Sequence, residues 1–164
     1  MKAISVREPW AWLLLQPADP ANPDEPLKKF ENRGWPLPAG QYGQRSYIHA
    51  SMQMDEFDPD TLKGWITPEQ WSRIAPELQN IYAIYNLNRN NPDALRKSGY
   101  FGCIMGELTF IGQVTSHSSR WFSGPYGFIA KKPVLYPSEK RTVCHGQLGF
   151  WEVEASQERS LPLL

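Results

Sequence analysis

Fifteen of the 164 residues are proline, and no other feature constrains the fold as much. Proline fixes its own φ, has no N–H for a ladder or a helix, and pushes the preceding residue out of the helical region. Elements must therefore be short and loops long. That excludes a bundle of long helices and suits a small α+β domain. The run Pro17-Ala-Asp-Pro-Ala-Asn-Pro-Asp-Glu-Pro26 carries four prolines, one at every third position, and predicts an exposed acidic loop leaning to polyproline II. Pro76 interrupts a series at helical spacing (Trp71, Ile74, Leu78, Ile81 and Tyr85) and predicts two short helices or a kink.

Strand patterns occupy both ends of the chain. Residues 2–6 read as a short strand with Ile4 and Val6 on one side, and after Pro9 residues 10–15 continue as a short buried helix. Residues 28–33 extend again and Gly34 ends that strand, while residues 44–50 form a third. The middle, 51–98, is helical in texture: Thr67-Pro68-Glu69 supplies an N-cap, a first-turn proline and an acid. Residues 86–91 are polar and predict a mobile loop. Strands return over 100–114, with Leu108, Phe110 and Val114 on one face and Glu107, Thr109 and Gln113 on the other, then over 128–135 and 148–153. With no βαβ alternation and no repeat, the expected architecture is α+β on a curled, barrel-like sheet. It is one domain over 1–155 with an insert at 51–98, followed by a frayed or loosely docked tail at 156–164.

Hydrophobic residues make up 41% and aromatics 13%, enough for a packed core. Basic and acidic residues number 17 each, so the net charge is zero and a polybasic coat for a duplex is excluded. The longest apolar run, residues 10–15, falls far short of the ~20 residues of a membrane span. No cleavable signal precedes it. Two cysteines make no disulfide framework, so the expected location is the cytoplasm, away from membranes. Charge is uneven, however. Residues 89–141 hold eight basic side chains against three acidic ones, interleaved with Trp121, Phe122, Tyr126 and Phe128. Cations beside aromatics are what single-stranded or flipped-base recognition uses. The same count also fits a solvated surface whose charges face different ways.

Lys28-Lys-Phe-Glu31-Asn-Arg33-Gly-Trp35 is the densest polar cluster. Such a strand binds a phosphate or amide if it lines a cleft, and is a surface ion-pair strand if it does not. Strict alternation places Lys29, Glu31 and Arg33 on one face and Lys28 on the other, unless a turn intervenes at Lys28. His49, His117 and His145 have no metal-ligand spacing, and Cys144-His145 are adjacent rather than spaced for one ion, so neither metal nor cofactor is expected. No nucleophile elbow is present, and Gly124-Pro-Tyr-Gly127 lacks the Lys-Ser/Thr ending of a phosphate loop and reads as a turn.

Three blocks together, Ile4-Ser-Val-Arg-Glu-Pro-Trp-Ala-Trp12, Lys28-x-x-Glu31-x-Arg33-x-Trp35 and Tyr47-Ile-His-Ala-Ser51, resemble the ASCH (activating signal cointegrator homology) domain of the PUA-like superfamily. Trp121-Phe-Ser-Gly-Pro-Tyr-Gly-Phe128 and Gly146-Gln-Leu-Gly-Phe-Trp151 look like the closing strands of its longer members. The resemblance implies a PUA-like small β-barrel with flanking helices, and a cleft lined by the Lys-x-x-Glu-x-Arg strand. Binding of RNA, other nucleic acid or a modified nucleoside is implied as its activity. Metal-independent hydrolysis is the alternative, as an amidohydrolase on N4-acylated cytidine or as a ribonuclease. Under it, Lys28 and Glu31 hold the positions associated with activity, and Glu107 is the acid on a later strand. Two departures stand out. Pro26 replaces a glycine of the family pattern, and Glu31 stands where the small amidohydrolases carry Thr, whose hydrogen bond an ionised carboxylate cannot donate. For binding, the expected set is Arg7, Lys28 and Arg33 with the 89–141 cations on phosphates and Trp10, Trp35, Trp121 or Tyr126 on a base, with Lys29 beside them. His49 and Ser51 complete it. The insert covers or extends the cleft.

Overall fold

The computed structural model describes residues 1–162. Its core is a seven-stranded sheet built from β1 (Lys2–Glu8), β4 (Phe30–Arg33), β5 (Arg45–Met54), β6 (Cys103–Val114), β7 (Tyr126–Leu135), β8 (Thr142–Val143) and β9 (Phe150–Glu152). The strand order is β4-β7-β6-β5-β1-β9, with β8 beside β6. β1 and β5 run parallel and the other neighbours antiparallel, so the sheet is mixed. It curls into a half-barrel. Arg33 of β4 reaches from one side of the sheet to donate to the Ser5 carbonyl of β1 at 2.5 Å, and Phe128 of β7 stacks on Phe150 of β9 at 6.4 Å.

Both faces of the central strands are covered, and this changes the expected pattern of β6. Residues Cys103 through Phe110 are all buried instead of alternating. One apolar cluster includes Ile4, Trp12, Ile48, Leu108, Phe110 and Phe128; a second holds Ala3, Tyr47, Ile104, Tyr136, Trp151 and Leu161. α1 (Trp10–Leu14) inserts Ala11, Trp12, Leu13 and Leu14 into the first cluster. The tail docks instead of fraying. α5 (Ala155–Glu158) brings Glu158 to Tyr47 Oη at 3.0 Å and to the N-terminal amine at 3.1 Å, and Leu161 is buried. Residues 163–164 of the tail lie outside the described residues.

Four other expectations are corrected. The proline-rich run is a small hairpin, β2 (Pro17–Asp19) with β3 (Asn22–Pro26), rather than an open loop. A two-stranded edge element asks few N–H groups of its prolines. The insert begins only after Met54, since β5 continues through Ser51, and consists of α2 (Pro59–Lys63), α3 (Pro68–Asn88) and α4 (Pro92–Lys97). α3 is one 21-residue helix despite Pro76. Ser72, whose carbonyl loses its partner there, and Pro76 itself are both exposed, so water replaces the missing bond. The opposite stripe of Ile74, Leu78 and Ile81 is buried, and a Thr67–Gln70 capping box fixes the start. The polar stretch 86–91 is no mobile loop. α3 consumes it through Asn88, and Asn91 caps α4 by accepting the Ala94 amide at 3.2 Å. Among the described residues no helix is long and apolar enough to cross a membrane.

Candidate functional site

Where β1, β4 and β5 meet, the half-barrel opens into a cleft of about 960 Å³. One wall is a chain of edge-to-face or tilted rings. Trp10 meets Phe57 at 5.1 Å, Phe57 meets Trp65 at 5.3 Å, and Trp65 meets Trp121 at 5.1 Å. Trp10 comes from α1, Phe57 and Trp65 from the insert, and Trp121 from the loop before β7. Asp55 anchors the near end, accepting from Trp10 Nε1 at 2.6 Å and from Arg7 at 3.0 Å. Asn32 anchors the far end, donating to the Trp121 carbonyl at 3.0 Å and accepting the Ser123 and Gly124 amides at 3.0 and 3.2 Å.

The floor is polar. A bend precedes β4, so strict alternation fails at Lys28, and its side chain turns inward with only 5% exposed. Nζ donates to the Phe30 carbonyl, lies 4.0 Å from Glu31 Oε1 and 5.7 Å from the Trp10 ring centre. Burial lowers the Lys28 pKa; Glu31 opposes that shift and Arg33 adds to it. Glu31 is equally buried. Its Oε2 stands 3.5 Å from Arg33 but accepts no hydrogen bond. Arg33 also packs on Trp35 at 5.7 Å.

Ser5 and His49 form the remaining floor. They are register partners on parallel β1 and β5, and Ser5 Oγ lies 3.0 Å from His49 Nδ1. His49 Nε2 lies 2.8 Å from the Cys144 carbonyl, and its ring meets Trp151 edge-on at 5.4 Å. Burial lowers the His49 pKa, against the Cys144 hydrogen bond and with help from His145. Ser51 sits beside them on the cleft wall.

The structure thus gathers Arg7, Trp10, Lys28, Glu31, Arg33, His49, Ser51 and Trp121 around one cavity. Four other candidates lie elsewhere. Glu107 is buried in a separate network, accepting from Tyr136 Oη at 2.6 Å and Arg45 Nε at 2.8 Å. Lys29 points to solvent because the bend puts Lys28 inside. Trp35 closes the barrel against Phe128 and Phe150 at 5.5 and 6.0 Å, and Tyr126 is half-buried outside the cleft lining. The 89–141 cations scatter as well. Arg96 and Arg120 reach the cleft rim, whereas Arg141 donates to the Tyr136 and Gly99 carbonyls, Lys131 pairs with Glu25, and Arg89 stacks on Tyr85.

Ser5, Asp55, Phe57 and Trp65 are cleft residues that sequence reasoning did not single out. Ser5 lies inside the first block of the ASCH resemblance, and only the β1–β5 register shows what it faces. Among the described residues no three His, Cys, Asp or Glu side chains gather into a set able to hold a metal ion. No protein-family model matches the chain, and no curated protein matches it.

Proposed function

We propose that the cleft captures one unstacked base of a single-stranded nucleic acid, RNA in the first instance, in a cytoplasmic protein whose half-barrel is PUA-like and of the ASCH type. The observation that carries this reading is Glu31 Oε2, buried and 3.5 Å from Arg33 yet accepting no hydrogen bond, in a cavity walled by indoles. A buried acceptor left without a hydrogen bond costs about 1–3 kcal/mol, which a ligand N–H recovers. A base edge offers such an N–H beside a carbonyl for Lys28, and its flat faces suit Trp10 and Trp121. Arg7, Arg96 and Arg120 at the rim are placed for backbone phosphates.

The test is a titration of a single-stranded RNA oligomer at two or more salt concentrations, followed by tryptophan fluorescence. Three rim cations predict a slope of log affinity on log salt of about −2. Glu31→Gln, which trades an ionised acceptor for an amide, is expected to weaken binding about tenfold. Failure to bind at low salt, or affinity indifferent to salt, overturns the reading. The depressed pKa of buried Lys28 favours a second one, a metal-independent hydrolase acting through Lys28 and Glu31. In that version Glu107 drops out, because its oxygens serve Arg45 and Tyr136.

A further inference from the structure

We infer that Ser5 and His49 are a nucleophile and its general base, and that the cleft cleaves carboxylic esters whose alcohol portion is aromatic. This goes beyond base capture and requires only that the cleft admit a small molecule.

The geometry fixes the proton positions. A carbonyl oxygen only accepts, so His49 Nε2, 2.8 Å from the Cys144 carbonyl, carries the ring proton. In the neutral ring Nδ1 is then a lone pair, and the Ser5 hydroxyl 3.0 Å away donates to it. A nucleophile bonded to a base that a third group orients is the arrangement that activates serine on unrelated folds. Access differs between the two partners as catalysis requires. His49 is 2% exposed, while Ser5 is only partly buried, and both line the cleft. The loop after β8 packs beside the pair on the cleft wall, where a Cβ on Gly146 would fall 2.4 Å from Ser5 Oγ and 2.8 Å from His49 Cε1. The Arg33 guanidinium, bonded to the Ser5 carbonyl, is the cation nearest to hand for the oxyanion that this attack would form.

The orienting group is a neutral carbonyl and not a carboxylate, so the imidazolium formed during reaction gains less stabilisation than in a full triad. That limits the pair to leaving groups needing little proton assistance, which means aryl esters before amides. The ring wall from Trp10 to Trp121 suits the aryl portion.

In the first step Ser5 Oγ bonds to the acyl carbon as its proton passes to Nδ1. The ester C–O bond then breaks, and the departing oxygen takes the Nδ1 proton. In the second step water adds to the acyl–serine ester and gives a proton to Nδ1. The bond to Oγ breaks, Oγ recovers the proton, and a carboxylic acid leaves. Ester plus water becomes alcohol plus acid.

The experiment treats the full chain with an aryl fluorophosphonate and, separately, with p-nitrophenyl acetate, and maps adducts by peptide mass spectrometry. The expected result is a wild-type adduct on Ser5, nitrophenolate release that Ser5→Ala abolishes, and labelling about 100-fold slower in His49→Gln. If His49→Gln fails to fold, as circular dichroism will show, the wild-type map and Ser5→Ala decide alone. An unlabelled Ser5 in folded wild type, or turnover unchanged in Ser5→Ala, overturns the inference. RNA affinity measured on the same sample fails or survives independently.

Discussion

Glu8 ends β1 fully buried, with Oε1 accepting the Trp12 amide at 2.8 Å and Oε2 unpartnered. Burial pushes its pKa up to about 8 from an ordinary 4.5; the Trp12 hydrogen bond and Arg141 oppose that shift, and Glu77 adds to it. The unfolded chain releases this proton near pH 4.5, whereas the folded chain keeps it until about pH 8. The folded state therefore binds more protons across that window, and stability falls as pH rises. The contribution is complete below the unfolded value and is lost as pH passes through the folded one. At ~1.4 kcal/mol per pH unit, the step from pH 5 to pH 7 removes about 3 kcal/mol. Glu8→Gln retains the shape and the acceptor for Trp12 but does not titrate. Urea denaturation of both proteins at pH 5, 6 and 7 isolates Glu8 as the difference between them. The variant is expected to gain about 3 kcal/mol on the wild type over that range. A difference constant to within about 0.5 kcal/mol, or one moving the other way, would refute a buried, protonated Glu8.

Two further outcomes test other parts of the structure. Gly146→Ala drives a Cβ into Ser5 Oγ and the His49 ring, and overpacking of this kind costs about 1–3 kcal/mol, read as a lower denaturation midpoint. A midpoint equal to wild type would mean the loop does not close on the pair. Tyr136→Phe deprives the buried Glu107 carboxylate of a 2.6 Å donor and should cost about 1–3 kcal/mol in the same assay, with RNA affinity unchanged because Glu107 stands outside the cleft. Weakened RNA binding in folded Tyr136→Phe would place Glu107 back among the functional residues.

The strands were legible wherever alternation or β-branched residues survive, as at Ile4 and Val6 or Tyr47 and Ile48. β6 hid its register because layers on both faces bury every residue from Cys103 through Phe110, and alternation is a signal of one-sided burial only. Prolines misled twice for one reason. The prolines of 17–26 sit in a two-stranded hairpin that needs few of their N–H groups, and Pro76 lies on exposed surface where water can meet the lost hydrogen bond, which spacing alone does not disclose. At the site, Lys28, Glu31 and Arg33 were readable as a cluster and a turn at Lys28 as the exception to alternation, but which of Lys28 and Lys29 faces inward was not. Ser5 was unreadable for a different cause. Its partner lies 44 residues away on a strand reached through a crossover, and local pattern carries no information at that separation.

The cleft draws its polar floor from β1, β5, β4 and the bend before β4, and half of its ring wall, Phe57 and Trp65, from the segment between β5 and β6. Floor and wall are thereby encoded in separate stretches of chain. Lengthening or exchanging that segment would reshape which guests fit, while Lys28, Glu31, Ser5 and His49 kept their places on the scaffold beneath.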